Sequence, residues 1–139
     1  MSKPIAPAKG IAFAFPDVCL TPAPPAPPVP MPYPNIAQLT QAAPLTDAGG
    51  RALKVGPAGD YVLLLGSEVA QSSGDEAGSV GGVKSGTITG KCTVVQASRT
   101  VLYGPQGKGL ARFMDRTEQN SGNAQGMVLS AFPTVLVGD

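Results

Sequence analysis

Val83-Lys84-Ser85-Gly86-Thr87-Ile88-Thr89-Gly90-Lys91-Cys92-Thr93-Val94-Val95-Gln96-Ala97 carries the fold class of the chain in miniature. Two short runs rich in β-branched residues, Val83–Thr89 and Cys92–Ala97, flank a turn at Thr89-Gly90. Such side chains are stiff at χ1 and suit a pleated surface, and a glycine turn between two of them reads as a hairpin. The same unit recurs outward in both directions. Ala52–Val55, Tyr61–Leu65, Arg99–Tyr103, Leu110–Phe113, Met127–Ser130 and Thr134–Val137 are further strand candidates. They are divided by Gly49-Gly50, Gly56-Pro57-Ala58-Gly59, Ser72–Gly82, Gly104–Gly109 and Asn120–Gly126, all with turn chemistry. The pattern predicts a mainly β protein built as a compact stack of short β-hairpins. One short helical turn is expected near Asn35–Gln41.

Pro22–Pro34 reads PAPPAPPVPMPYP, with proline at almost every second position. Each ring fixes φ and removes an N–H, which excludes helix and central strand. Polyproline II or an extended strap is the physical default, with a flexible spacer or an SH3-type ligand as the alternative on composition. As a strap it is expected to lie ordered on the β-body, anchored by Val29 and Tyr33.

The chain has 139 residues, which suits one domain. Hydrophobic residues make up 42%, enough for a small core, while charged residues are only 14% and Gly (18) and Pro (15) are raised. The net charge is +1, and the ten Lys and Arg residues are scattered from Lys3 to Arg116. Without a basic stripe or an aromatic stacking platform, nucleic acid is not a partner. No run approaches the roughly 20 apolar residues that span a bilayer. Lys9 followed by Ile11–Phe15 imitates a signal peptide, but Pro16 and Asp17 cut the apolar run short. A chain kept in the cytoplasm is expected, with Cys19 and Cys92 as reduced thiols or, after export, a disulfide.

The sequence contains no histidine. Ser-His-Asp and Cys-His nucleophiles, His-ligated zinc and His-type acid–base catalysis are therefore excluded, and two cysteines cannot close a tetrahedral zinc site. Gly78–Ser85 imitates a phosphate-binding loop, but Val83 separates Gly82 from Lys84 where that loop needs them adjacent. Asp75 and Glu76 could serve as a catalytic or calcium-binding pair, yet consecutive side chains diverge and no wider acidic set surrounds them. A solvated or capping loop is the preferred reading there. Cys19 follows Phe-Pro-Asp-Val, which does not fit a lipid anchor; a buried or partly buried thiol fits better.

Several short motifs then stand in a fixed order. They are Phe15-Pro16-Asp17-Val18-Cys19 with Thr21-Pro22, Val29-Pro30-Met31-Pro32-Tyr33-Pro34-Asn35, Ser72-Ser73-Gly74-Asp75-Glu76-Ala77-Gly78, and Val83-Lys84-Ser85-Gly86-Thr87-Ile88-Thr89-Gly90-Lys91. A modified stretch of Gly107, Lys108, Arg112, Asp115, Thr117 and Asn120 completes the set. Together they resemble the PAAR-like proteins of the PIPY type, over roughly Phe13 to Gly126. The chain is thus expected to form a single PAAR-like domain at 1–139, with an N-terminal arm at 1–12, the region of resemblance at 13–126 and a C-terminal strand segment at 127–139.

The resemblance implies a small conical fold with a proline-rich N-terminal strap, seated as the tip on the trimeric spike of a type VI secretion system or a related phage tail-like contractile injection system. One tip per trimer would sharpen the spike for membrane piercing. It also implies a structural protein without catalytic residues or cofactor, possessing motif residues Phe15, Pro16, Asp17, Cys19, Pro30, Pro32, Tyr33, Pro34, Asn35, Gly74, Asp75, Glu76, Ala77, Gly78, Ser85, Gly86, Gly90, Asp115 and Asn120. In that family such domains also couple effector toxins to the spike; the few residues after Gly126 leave any toxin to a separate polypeptide. Delivery would carry the chain from the cytoplasm out of the cell or into a target cell, touching the target membrane only during injection. A dedicated toxin-recruiting adaptor is the nearest rival, and a small hydrolase built on the Asp75-Glu76 loop the more distant one. PAAR proteins typically hold an apical zinc with histidines and a cysteine, and PIPY-type sequences often place a histidine where this chain has Gln119. An apex without metal, held by packing and hydrogen bonds, is the expectation here.

Overall fold

The computed structural model describes residues 2–46 and 49–139; Met1, the first residue of the expected arm, lies outside them. In chain order the elements are β1 (Lys3–Ile5), β2 (Ile11–Ala23), β3 (Ala26–Gln38), a 3-10 turn (Leu39–Gln41), β4 (Lys54–Val55), β5 (Asp60–Tyr61), β6 (Glu68–Val69), β7 (Gly81–Gly82), β8 (Cys92–Val94), β9 (Leu102–Tyr103), β10 (Lys108–Gly109), β11 (Arg116–Gln119), β12 (Ala124–Leu129) and β13 (Phe132–Val137). The protein is mainly β, as its sequence predicts. The principal sheet runs β3-β2-β12-β11-β8-β6, with β7 added on β2. Smaller antiparallel pairs join β1 to β13, β4 to β5 and β9 to β10.

The long β2–β3 hairpin positions everything that follows. In β2 the buried residues are first Ala12 and Ala14, then Asp17 and Cys19. Strand side chains alternate with period two, so this change of parity requires an irregularity between the sets. It lies at Phe15-Pro16, where the register to β3 shifts between Ala14 and Asp17 and the Phe15–Pro16 peptide is cis. The bulge throws Phe15 outward, 58% exposed, and turns Asp17 and Cys19 into the interior. Pro22 falls at the second register shift, between Thr21 and Ala23, so both prolines of β2 sit where the ladder is interrupted.

Among the named strands β3 pairs with β2, with one isolated bridge from Ile36 to Ser73 near its end, and it forms the edge of the sheet. Its prolines at 28, 30, 32 and 34 occupy alternate positions, and alternate N–H groups of a strand point to opposite sides. The ladder to β2 is therefore served by the residues between them, while the outward edge carries a row of missing donors. That arrangement blunts an edge against pairing with another chain.

Two apolar clusters lie behind the sheets. One gathers Leu39, Leu63, Val69, Cys92, Val94 and Val128, and the other Ile5, Val55, Val62, Leu64, Leu110 and Val137. The N-terminal arm is part of this body: β1 pairs with β13, and Ile5 and Ala6 are buried.

Several sequence expectations are corrected. Most of the Pro22–Pro34 segment is extended as the edge strand β3, held by pairing with β2; of its two expected anchors Tyr33 is half-buried, whereas Val29 is 42% exposed. Val83–Thr89 is a loop: after the paired Gly81-Gly82 a single bond from Val83 N to the Val18 carbonyl reaches β2, and the Lys84 and Ser85 N–H groups donate to the Asn123 side chain. Leu110–Phe113 makes only isolated bridges, at Leu110 and Arg112. Of the helical turn at Asn35–Gln41 only the 3-10 turn Leu39–Gln41 forms, because Asn35–Gln38 continue β3. The separator Asn120–Gly126 ends early, with β12 beginning at Ala124.

Candidate functional site

The inward turn of β2 creates a buried polar centre. Asp17, Asn35, Asp75, Gln119 and Asn120 are all fully buried. Asp17 Oδ2 accepts from Asn35 Nδ2 at 3.1 Å, and Oδ1 accepts from Asn120 Nδ2 at 3.2 Å and from Asn123 Nδ2. Asn35 Nδ2 also donates to Ser72 Oγ at 2.9 Å, and Gln119 Nε2 donates to Asn35 Oδ1 at 2.8 Å. The Asn120 side chain reaches the other way: its Nδ2 donates to the Thr87 carbonyl at 2.8 Å and its Oδ1 accepts from Gly90 N at 2.9 Å. Asn120 adopts a positive φ of 49°, a conformation that asparagine tolerates better than most residues.

Asp75 is the acidic member brought in from the Ser72–Lys91 loop. The expectation of a solvated Asp75-Glu76 pair is overturned for Asp75, which is buried with a carboxyl oxygen within 4.8 Å of one on Asp17 and accepts from Thr89 N at 3.0 Å. Glu76 diverges and caps the Gly74 N–H at 2.9 Å from the surface. The loop approaches β2 so closely that a Cβ on Gly78 would lie 2.3 Å from Cys19 Cβ, which only glycine permits.

The electrostatics follow from this packing. Burial works to raise the Asp17 carboxyl, but the hydrogen bonds from Asp75, Asn123, Asn120 and Asn35 outweigh it and hold Asp17 below the usual carboxylate range. Asp75 has fewer donors; burial and the shared hydrogen bond with Asp17 push it up to about 6. Burial, reinforced by the Asp17 charge, pushes the Cys19 thiol up to about 12. Cys92 sits apart in the apolar cluster, and burial pushes it up to about 12 as well. Both thiols are free.

Among the described residues one group, Asp17, Cys19 and Asp75, brings three metal-type donor atoms within 4.8 Å of one another. These donors do not fit a structural zinc. They number three where such sites use four, the thiol is held protonated, and both Asp17 oxygens already accept amide N–H groups. The centre is built as a hydrogen-bonded clasp: no buried side-chain N or O among the described residues lacks a partner.

The remaining motif residues divide between surface and structure. Pro30, Pro32 and Pro34 line the outer edge of β3, Tyr33 shares a 2.7 Å hydrogen bond with Thr21, and Phe15, Ala77 and Gly86 are exposed. Ser85 N donates to Asn123 Oδ1 at 3.1 Å, and Gly74 packs on the Pro34 carbonyl. Gly107 and Lys108 belong to the β9–β10 hairpin, away from the centre. Arg112 and Asp115 form a second buried polar group: Arg112 Nε and Nη2 donate to the two Asp115 oxygens at 3.1 and 3.2 Å, and Lys3 Nζ lies 2.8 Å from Asp115 Oδ1. Asp139 meets Arg112 Nη1 at 3.1 Å, so this group ties both ends of the chain together. Sequence reasoning did not foresee Asn123 and Ser72 in the clasp. Only the spacing of Asn120 and Asn123 across a tight turn offered a signal.

Motif residues from β2, β3, the Ser72–Lys91 loop and the turn after β11 thus meet in one clasp, and residues 10–126 match the Toxin PAAR-like domain. The chain belongs to that family. No curated protein and no solved structure matches it. For this PAAR-like domain, membership points to a spike-associated role in type VI secretion and to a family that is structural and toxin-associated, not typically enzymatic.

Proposed function

We propose that this PAAR-like domain is the non-enzymatic tip of a contractile injection machine, capping and sharpening a trimeric spike of the type VI secretion kind. The family match over residues 10–126 carries the reading. The structure supports it by its economy: the motif residues of β2, β3 and the Ser72–Lys91 loop serve to fasten extended chain to extended chain, which suits a part that must resist mechanical load. A single asymmetric chain seats on a three-fold end through three pseudo-equivalent faces, so the complex holds one copy per spike trimer. The domain waits in the cytoplasm, leaves with the spike and meets the target membrane only during injection. A separate effector toxin can ride on it.

Native mass measurement of the complex with the cognate spike tests this. One copy per trimer is expected; three copies, or no binding, rejects it. The toxin-recruiting adaptor predicts a different outcome, in which changes to one exposed face abolish toxin export while spike assembly and piercing persist.

A further inference from the structure

We infer that the buried Asp17–Asp75 carboxyl pair is a proton-held latch, closing the Ser72–Lys91 loop onto β2 and β3 when the pair shares a proton and loosening it when both carboxyls ionise. The geometry forces two unequal acids together. Both are fully buried, a carboxyl oxygen of one lies within 4.8 Å of one of the other, and they are carried by segments far apart in the chain. Two like charges at this distance in a low dielectric cannot both be accommodated cheaply, so one carboxyl keeps its proton.

The hydrogen-bond partners decide which carboxyl that is. Asp17 accepts from three side-chain amides, of Asn35, Asn120 and Asn123, and these donors favour its ionised form. Asp75 receives no side-chain amide, only backbone N–H groups, chiefly that of Thr89, so it carries the proton and donates to Asp17. Among the described residues no cation faces the pair. From β2 the facing titratable group is the Cys19 thiol, 3.5 Å from Asp17 Oδ1. From β3 come Asn35 and, beyond it, Tyr33, whose hydroxyl is engaged with Thr21. The turn after β11 offers the neutral Asn120 and Asn123, while on the loop Glu76 caps Gly74, Lys84 is exposed and Lys91 pairs with Glu68. Lys3 and Arg112 are committed to Asp115.

What the latch holds is equally local. The loop is fastened by Thr89 N on Asp75, Gly90 N on Asn120, the Ile36–Ser73 bridge and the short β7 on Cys19 and Leu20. A closed form that binds the proton more tightly than the open loop is favoured below the ordinary carboxylate range and loses that advantage as pH rises toward the closed-form value. With Asp75 raised from 3.8 to about 6, the loop-opening constant should rise about tenfold between pH 5 and pH 8. Asp17 works in the opposite sense but only in more acidic solution, since its closed-form value is lowered.

Native-state hydrogen exchange of the Gly82, Thr89 and Gly90 amides on the full chain, normalised for intrinsic exchange, reads the opening constant directly. The expected result is the tenfold rise from pH 5 to pH 8 in the natural chain and a flat, protected profile in Asp75→Asn, whose amide can donate to Asp17 at every pH. Equal opening at both pH values, or an unchanged pH dependence in Asp75→Asn, would overturn the latch. Should that variant fail to fold, carboxyl ¹³C titration of the natural chain decides alone. Asp75 titrating near 6 supports the latch, and Asp75 already ionised at pH 5 overturns it.

Discussion

Asn120 joins both halves of the clasp, and replacing it separates side-chain from backbone contributions. Asn120→Ala removes the bonds from Gly90 N and the Thr87 hydroxyl and to the Thr87 carbonyl, all at the half-exposed rim, and the deeper bond to Asp17. The bonds with Gly90 N and the Thr87 carbonyl should each be worth about 1 kcal/mol and the bond to the ionised Asp17 more, while the Thr87 hydroxyl keeps Ser85 Oγ as a partner, so the side chain accounts for about 3–4 kcal/mol. Alanine must also hold the positive φ of this position, at a further cost of about 1 kcal/mol, whereas glycine holds it without strain. Asn120→Gly is therefore expected to lose about 3–4 kcal/mol and Asn120→Ala about 1 kcal/mol beyond it. Against the roughly 5–15 kcal/mol of a typical domain, both losses are large. Urea unfolding followed by far-UV circular dichroism measures them. A loss below about 1 kcal/mol in either variant, or glycine proving worse than alanine, would refute the assignment of Asn120 as the central fastener.

Three further outcomes follow from the same geometry. Asp115→Ala leaves the nearly buried Arg112 guanidinium and the Lys3 ammonium without their shared carboxylate, and should cost about 3–5 kcal/mol in denaturant unfolding. Gly126→Ala places a Cβ 2.3 Å from the Phe13 carbonyl oxygen and 2.6 Å from Gln119 Oε1 in mid-sheet; calorimetry should show about 2–3 kcal/mol of destabilisation. Cys19 and Cys92, buried and each pushed up to about 12, should resist alkylation by iodoacetamide at pH 8 in the native protein and react in denaturant.

The sequence makes the β class visible through local signals: β-branched runs at Cys92–Val94 and Thr134–Val137, and glycine turns between them. It hides the strand that matters most. β2 contains Pro16 and Pro22, which lower local strand propensity, and its partner β12 is more than 100 residues away, with Ile11 opposite Leu129. Periodicity reads neighbours and cannot report such pairing. Two signals were nevertheless present. The alternate prolines from Pro28 to Pro34 spell an edge strand, and the Phe-Pro step between Ala12/Ala14 and Asp17/Cys19 marks the bulge that reverses the buried face. The burial of Asp75 had no such signature, because a loop carboxyl looks the same in sequence whether it meets water or the buried face of β2.

Gln119 shows why this clasp is self-sufficient. Its Nε2 group distributes two N–H bonds among Asn35 Oδ1, the Asn35 carbonyl and the Ala12 carbonyl, at 2.8, 3.0 and 3.3 Å, while Oε1 accepts from Thr117 at 2.9 Å. A neutral imidazole offers one donor and one acceptor on opposite sides of a ring, and could not supply two donors to this side of the pocket. The position is thus shaped for an amide, and the same holds for its neighbours: Asn35, Asn120 and Asn123 each present a donor to Asp17. Those contacts span 18, 103 and 106 residues. In a chain with few aromatic side chains and little charge, such buried and fully paired bonds fix which strand lies beside which, since any other register would leave a carboxylate without donors in the interior. The clasp therefore sets the register of the β2–β3 hairpin against the turn after β11, and the apolar clusters beyond it fill in around a frame already specified.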